Sequence, residues 1–200
     1  MSVKRKPNKT TPARKMEIIR AALECFNRKG FTDASMQEIR QAAKASYGSV
    51  YHHFKSKEML AAAVYMEGVK DFQDKMIAML NNASGARDGI VGMVYCYLDW
   101  IEANPSWAKF LLTMRHADFM GDTEALIEMR NREFVPVLGD FFTKNIHAGN
   151  LKNMPRDVCL SIILGPCQEF TRLWTQGAAS TDIKETKELI GEAVWSALKA

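Results

Sequence analysis

The residues best suited to chemistry lie between Ser35 and Lys57, and the chemistry they suit is recognition rather than bond making. No charged residue stands from Ser46 to Phe54; the run is Ser46, Tyr47, Gly48, Ser49, Val50, Tyr51, His52, His53, Phe54. A helix that needed only solubility would carry Lys or Glu there. Small hydroxyls, a Gly and tyrosines suit a surface that approaches another surface closely. Catalytic patterns are missing: there is no Gly-x-Ser-x-Gly elbow, His-Glu-x-x-His pair, phosphate loop or dinucleotide fingerprint. Neighbouring His52 and His53 point about 100° apart on a helix, so they do not readily share a metal. No metal site, cofactor or enzymatic activity is expected.

Two short helices must position these residues. Ser35 and Glu38 have capping-box spacing, which starts a helix at Met36 with Ile39, Ala42 and Ala43 on its apolar side. Ser46 is the N-cap candidate of a second helix, Tyr47 to about His53, with Val50 and Phe54 inward. Two helices joined by a tight turn, the second lacking charge, have the shape of a helix-turn-helix whose second helix enters the DNA major groove. An earlier helix over 12–29, with Pro12 in its first turn and Ile18, Ile19, Ala22, Cys25 and Phe26 as its stripe, braces them and ends at Gly30. Ser35, at a helix N-terminus, would present backbone N–H groups to a phosphate. Gln37 and Arg40 are further contact candidates.

The run Ala42-Ala43-x-x-Ser46-x-Gly48-Ser49-Val50-Tyr51-His52-His53-Phe54-x-Ser56-Lys57-Glu58-x-Leu60 resembles the DNA-binding signature of the TetR (tetracycline-repressor) family of bacterial transcription regulators. Ile18, Ala21, Ala22, Leu23, Phe26, Gly30, Phe31 and Ile39 extend the match upstream. The resemblance implies that Tyr47, Gly48 and Ser49 face the groove, with Tyr51 at its edge and His53 and Lys57 on phosphates. Ser49 would then bond to bases and the Tyr47 ring would meet a thymine methyl. One position departs from the family: its inter-helix turn usually holds Gly, and this chain has Lys44. Either Lys44 adopts the left-handed conformation or the turn has another geometry.

Charge is distributed to match. Residues 1–60 carry 13 Lys/Arg and 5 Asp/Glu, a net of +8, and residues 61–200 carry 14 and 18, a net of −4. A basic head on an acidic body confines the phosphate-attracting surface to the N-terminal part. Residues 1–11 read as a disordered arm whose Lys4, Arg5, Lys6 and Lys9 suit backbone phosphates or the minor groove. No apolar run reaches the roughly 18 residues of a membrane span, and the basic N-terminus lacks the apolar stretch of a secretory signal, so the expected compartment is the cytoplasm. Cys25, Cys96, Cys159 and Cys167 form no Cys-x-x-Cys pair and read as reduced, buried thiols.

Everything beyond Ser56 reads as helix. Ser56 begins a helix running to about Leu80, roughly 37 Å for ~25 residues. Further helices are expected at 87–103, 105–115, 122–147, 155–176 and 182–199, with Asn104 and Pro105 capping and opening the one at 105–115 and Pro136 kinking the one at 122–147. The fold class is therefore all-α. A three-helix DNA-binding domain (12–56) follows the arm, and a larger ligand-binding and dimerisation domain (57–200) completes the chain.

The resemblance places a ligand cavity in that second domain. Its apolar candidates are Met66, Trp100, Trp107, Phe110, Met114, Phe134, Phe170 and Trp174, with Phe72 and Tyr95 beside them; Met and aromatic side chains suit an adaptable pocket. His116, Asp99, Glu102 and Glu169 are the polar candidates. Residues 155–176 and 182–199 carry enough apolar surface to pair with a second copy, and a two-fold operator needs a two-fold protein. The expected function is a ligand-responsive repressor that binds a palindromic double-stranded operator as a homodimer. The alternative is a ligand-independent or activating regulator.

Overall fold

A computed structural model describes residues 11–114 and 124–200. Among the described residues the architecture is α-helical: α1 (Thr11–Asp33), α2 (Met36–Ala42), α3 (Tyr47–His53), α4 (Lys57–Asn82), α5 (Ala86–Ala103), α6 (Pro105–Met114), α7 (Glu124–His147), α8 (Arg156–Thr175) and α9 (Ile183–Leu198). Of the expected arm over residues 1–11, residues 1–10 lie outside the described residues, as does His116, and Thr11 opens α1. The chain forms two compact units, Met1–Tyr65 and Met66–Ala200. The expected boundary stood before α4; the division falls inside that helix, because its first two turns bury Leu60, Ala61 and Val64 completely within the first unit.

In the first unit the α1 stripe is the core. Ile18, Ile19, Ala22, Leu23, Cys25 and Phe26 are all buried, together with Ile39, Val50 and Phe54 from the next two helices. The helical path of α1 breaks at Gly30, where φ is +81° and ψ 166°. Backbone of that kind is essentially restricted to glycine.

The second unit has a large core built on α5 (Ile90, Met93, Val94, Leu98) with Met76, Leu138, Phe142, Ile163, Cys167 and Val194 around it. Three contacts are unusually close: Gly68 faces the Trp107 ring, Gly89 faces Phe141 and Gly92 faces Met79. A Cβ at Gly89 would lie 2.2 Å from Phe141, so these helices can approach only because glycine is there. Asn104 differs from its expected role. Its side-chain amide donates to the Trp100 carbonyl at 2.9 Å, so it closes α5 instead of capping α6, whose first turn begins with the Asn104 carbonyl accepting from Ala108. Leu151 and Lys199 form an antiparallel bridge that ties the segment after α7 to the end of α9. The cysteines are free, with Cys25, Cys159 and Cys167 buried and Cys96 half-buried. Burial pushes the Cys167 thiol up to about 12, which removes its reactivity. Among the described residues no helix is long and apolar enough to cross a membrane.

Candidate nucleic-acid interface and ligand site

The capping box at Ser35 is complete. The Ser35 hydroxyl accepts from the Glu38 N–H at 3.3 Å, and the Glu38 carboxylate accepts from the Ser35 N–H at 3.1 Å. The hydrogen bond from Lys29, followed by those from Ser35, holds the Glu38 carboxyl at about 2. The Ser35 N–H is thus answered within the chain by a carboxylate, which also supplies the negative charge that favours a helix N-terminus.

The turn between α2 and α3 resolves the question raised by Lys44. Lys44 has φ +48° and is the one non-glycine residue with positive φ among those described. The Ala45 N–H donates to the Arg40 carbonyl at 3.0 Å and the Lys44 N–H to Gln41 at 3.0 Å, the paired bonds of a Schellman ending. From α1, the Arg14 guanidinium donates to the carbonyls of Ala43 (3.2 Å) and Lys44 (2.7 Å). It satisfies carbonyls that the helix leaves open and sets a positive charge at the negative end of α2. A lysine therefore occupies a glycine conformation, held by four hydrogen bonds, two of the Schellman ending and two from Arg14.

Helix α3 begins as expected, with the Ser46 hydroxyl accepting from the Ser49 N–H at 3.2 Å. That engagement makes Ser46 a cap before anything else. Val50 is fully buried and Phe54 nearly so. The other side of α3 is open. Tyr47 is 67% exposed, and Gly48 leaves empty space where a Cβ would stand. Ser49 and Tyr51 are half-buried and His52 is exposed. The Tyr47 and Tyr51 rings stack with centroids 4.3 Å apart and an interplanar angle of 28°, forming one aromatic plate. His53 is half-buried. Burial, then the neighbouring charges of His52, Lys15 and Arg14, hold its imidazole below the ordinary value. On α2, Gln37 is exposed, and Arg40 reaches the Ala45 carbonyl at 3.4 Å.

Lys57, expected on a phosphate, is engaged within the chain. Its ammonium donates to the carbonyls of Phe31 (2.7 Å), Thr32 (2.9 Å) and Ala34 (3.0 Å) and lies 4.6 Å from the Phe31 ring centroid. An ammonium has three N–H donors, and all three are used within the protein. Lys57 ties the start of α4 to the segment that leaves α1.

In the second unit, Trp100, Trp107 and Trp174 come together around Trp100, Ile101 and Ala108, joined by Phe72, Tyr97 and Leu111. Phe72 meets Tyr97 and Trp100 edge-on, each at 5.6 Å. The Trp100 indole donates to the Asp71 carboxylate at 2.6 Å. Phe134 and Phe170 pack instead against the α5 core, which Trp174 also borders. Phe110 and Met114 are buried and Met66 half-buried. The polar candidates look elsewhere: Asp99 pairs with Lys187 at 2.5 Å, and Glu169 with Arg172 at 2.6 Å. An open depression of about 650 Å³, lined by Ser84, Arg87, Asp88, Asn150, Trp195 and Lys199 among others, holds none of the expected ligand residues. The sequence reading missed Tyr97, Asp71, Gln73 and Arg130. Nothing in a one-dimensional helical pattern marks Gln73 as buried.

Residues 18–64 match the model of bacterial regulatory proteins of the tetR family. Residues 65–200 match the C-terminal domain of tetracycline repressor-like proteins, which is more than half of the chain. The chain belongs to the TetR family. As a member it is an α-helical, DNA-binding transcriptional regulator with an N-terminal helix-turn-helix. It is 24% identical over 188 residues to the HTH-type transcriptional repressor AcnR of Corynebacterium diphtheriae, covering 92% of each chain. Its fold is similar to that of a TetR family transcription regulator from Marinobacter aquaeolei, with TM-score 0.80, 18% identity and coverage of 94% and 96% of the two chains. The transcriptional regulator FadR from Bacillus subtilis, solved in complex with stearoyl-CoA, gives TM-score 0.78 at 18% identity, covering 90% of this chain and 97% of that one.

Proposed function

We propose that this TetR-family chain is a ligand-responsive repressor that holds a palindromic operator as a homodimer and releases it when a small molecule binds its second unit. The observation that carries the reading is α3: no acid, a buried inner side, and an outer side on which Tyr47 is exposed and Gly48 leaves open space. Tyr47, Gly48 and Ser49 read bases, Tyr51 supports Tyr47 at the groove edge, and His53, Gln37 and Arg40 approach phosphates. Lys57 acts through the scaffold. The protein works in the cytoplasm by binding, not by catalysis.

The aromatic cluster around Trp100 supports an apolar effector, as does the similarity in fold to a regulator crystallised with a fatty acyl-CoA. Helix α4 holds residues of both units, so an effector that prefers one pose of α4 shifts the population of DNA-binding conformers. It lowers DNA affinity only by as much as it prefers that pose.

Dimerisation through α8 and α9 is supported by their outer stripes. Val158, Ile162, Gly165, Pro166 and Leu173 recur at helical spacing on α8 and are exposed or half-exposed; Leu189, Ala193 and Ala197 do the same on α9. Two copies joined there present two α3 helices to half-sites one DNA turn apart, roughly 34–36 Å.

The test is fluorescence anisotropy of the full chain with the DNA flanking its own coding region, over a salt series and with random DNA as competitor. Tight binding that survives the competitor supports a specific operator. Binding that random DNA removes completely overturns the operator reading.

A further inference from the structure

Gln73 of α4 is a neutral amide that is only 5% exposed. Its Nε2 donates to Asn131 Oδ1 of α7 at 3.0 Å, and its Oε1 has no partner. Arg130 adjoins Asn131. Its terminal nitrogens pair with Asp74 and with Glu133, the latter at 2.6 Å, while its buried Nε also has no partner. Residues 73 and 74 of one helix thus meet residues 130 and 131 of another and leave one acceptor and one donor unanswered. Buried polar groups are nearly always satisfied, by protein or by something bound. With its Nε2 given to Asn131 Oδ1, Gln73 keeps an acceptor, its Oε1, without a partner.

The surroundings narrow what would answer them. Lys70 pairs with Asp74 at 2.7 Å and Lys75 with Asp71 at 2.8 Å, so Asp71, Asp74 and Glu133 are balanced by Lys70, Lys75 and Arg130. A charged ligand finds no excess of opposite charge there. Phe72, beside Gln73, belongs to the aromatic cluster, and Phe134, one turn beyond Arg130, packs on the adjoining core.

We propose that Gln73 and Arg130 are the polar anchor of the effector site, and that the effector is an apolar molecule carrying one uncharged hydroxyl. The hydroxyl donates to Gln73 Oε1 and accepts from Arg130 Nε, which a carboxylate, an acceptor only, cannot do. This rests on the ligand-responsive reading above.

The test titrates the full-length protein with three matched probes, naphthalene, 2-naphthol and 2-naphthoate, by calorimetry at neutral pH. The expected result is that 2-naphthol binds about tenfold tighter than either of the others, roughly 1.4 kcal/mol. Gln73→Met removes that preference. Equal binding of the three, preference for the carboxylate, failure of all three to bind, or a preference that survives Gln73→Met overturns the anchor. Operator anisotropy on the same samples separates the two ideas. Loss of probe discrimination with operator binding intact strikes the anchor alone, and absent operator binding strikes the repressor reading.

Discussion

At the scale of single residues, the Tyr47–Tyr51 plate is the part of the proposed DNA-reading surface that mutation tests most directly. A stacked pair 4.3 Å apart gives Tyr47 a fixed orientation although it is 67% exposed. Tyr47→Ala should lower discrimination between operator and random DNA by about 1–3 kcal/mol. Tyr51→Ala should weaken discrimination through Tyr47, and a double-mutant cycle should return a coupling of about 0.5–1.5 kcal/mol. Additive losses would mean the two rings act separately. His53 supplies a pH test. Its folded-state value lies below the ordinary 6.5, chiefly through burial. Its contribution to stability is therefore complete above about 6.5 and declines as pH falls toward the lower folded value. A phosphate beside it would pull the value back up, so DNA binding would take up a proton. Operator affinity should then rise as pH falls through 6.5 at constant ionic strength, and His53→Gln should flatten the profile. A wild-type profile without slope would remove His53 from the phosphate contacts.

At the scale of elements, two lysines serve the helix-turn-helix through its backbone. Lys44 holds φ +48° between α2 and α3. A left-handed residue with a Cβ costs roughly 1–2 kcal/mol, and a glycine there returns part of that as extra freedom of the unfolded chain. Lys44→Gly should stabilise the protein by roughly 0.5–1 kcal/mol in urea unfolding, since the Schellman bonds and the Arg14 contacts all involve backbone. Lys57 gives the opposite result. With its three carbonyl partners, Lys57→Met should cost about 1.5–3 kcal/mol of stability. The salt dependence of DNA binding should stay unchanged; a slope flattened by about one would return Lys57 to the phosphate contacts.

At the scale of the whole molecule, the charge asymmetry and the outer stripes of α8 and α9 belong together. A net of +8 over residues 1–60 draws the reader to DNA, and the proposed pairing of the acidic body would bring two such readers to one site. Leu189, 62% exposed on α9, lies at the centre of the proposed dimer face. Leu189→Arg should convert the dimer to a monomer by sedimentation equilibrium, with helical content retained and affinity for a palindromic operator reduced far more than affinity for a half-site. A wild-type monomer at micromolar concentration would refute the arrangement.

The sequence by itself determined the helices and the reader. Ser35, Glu38, Ser46 and Ser56 act over three or four residues, so the starts of α2, α3 and α4 were legible from spacing alone. So were the buried Val50 and Phe54, because helical periodicity is local. Tertiary structure decided which long side chains were already occupied. Lys57 meets carbonyls 23 to 26 residues away, Arg14 reaches the end of another helix, and Gln73 is buried against Asn131, 58 residues on. Tertiary packing also sorted the aromatic residues, drawing Trp100, Trp107 and Trp174 into one cluster while Phe134 and Phe170 joined the core. Flexible cationic and amide side chains carry no periodic signal, and an aromatic at helical spacing looks the same in either cluster. Their roles follow from the acceptors and surfaces that folding brings within reach.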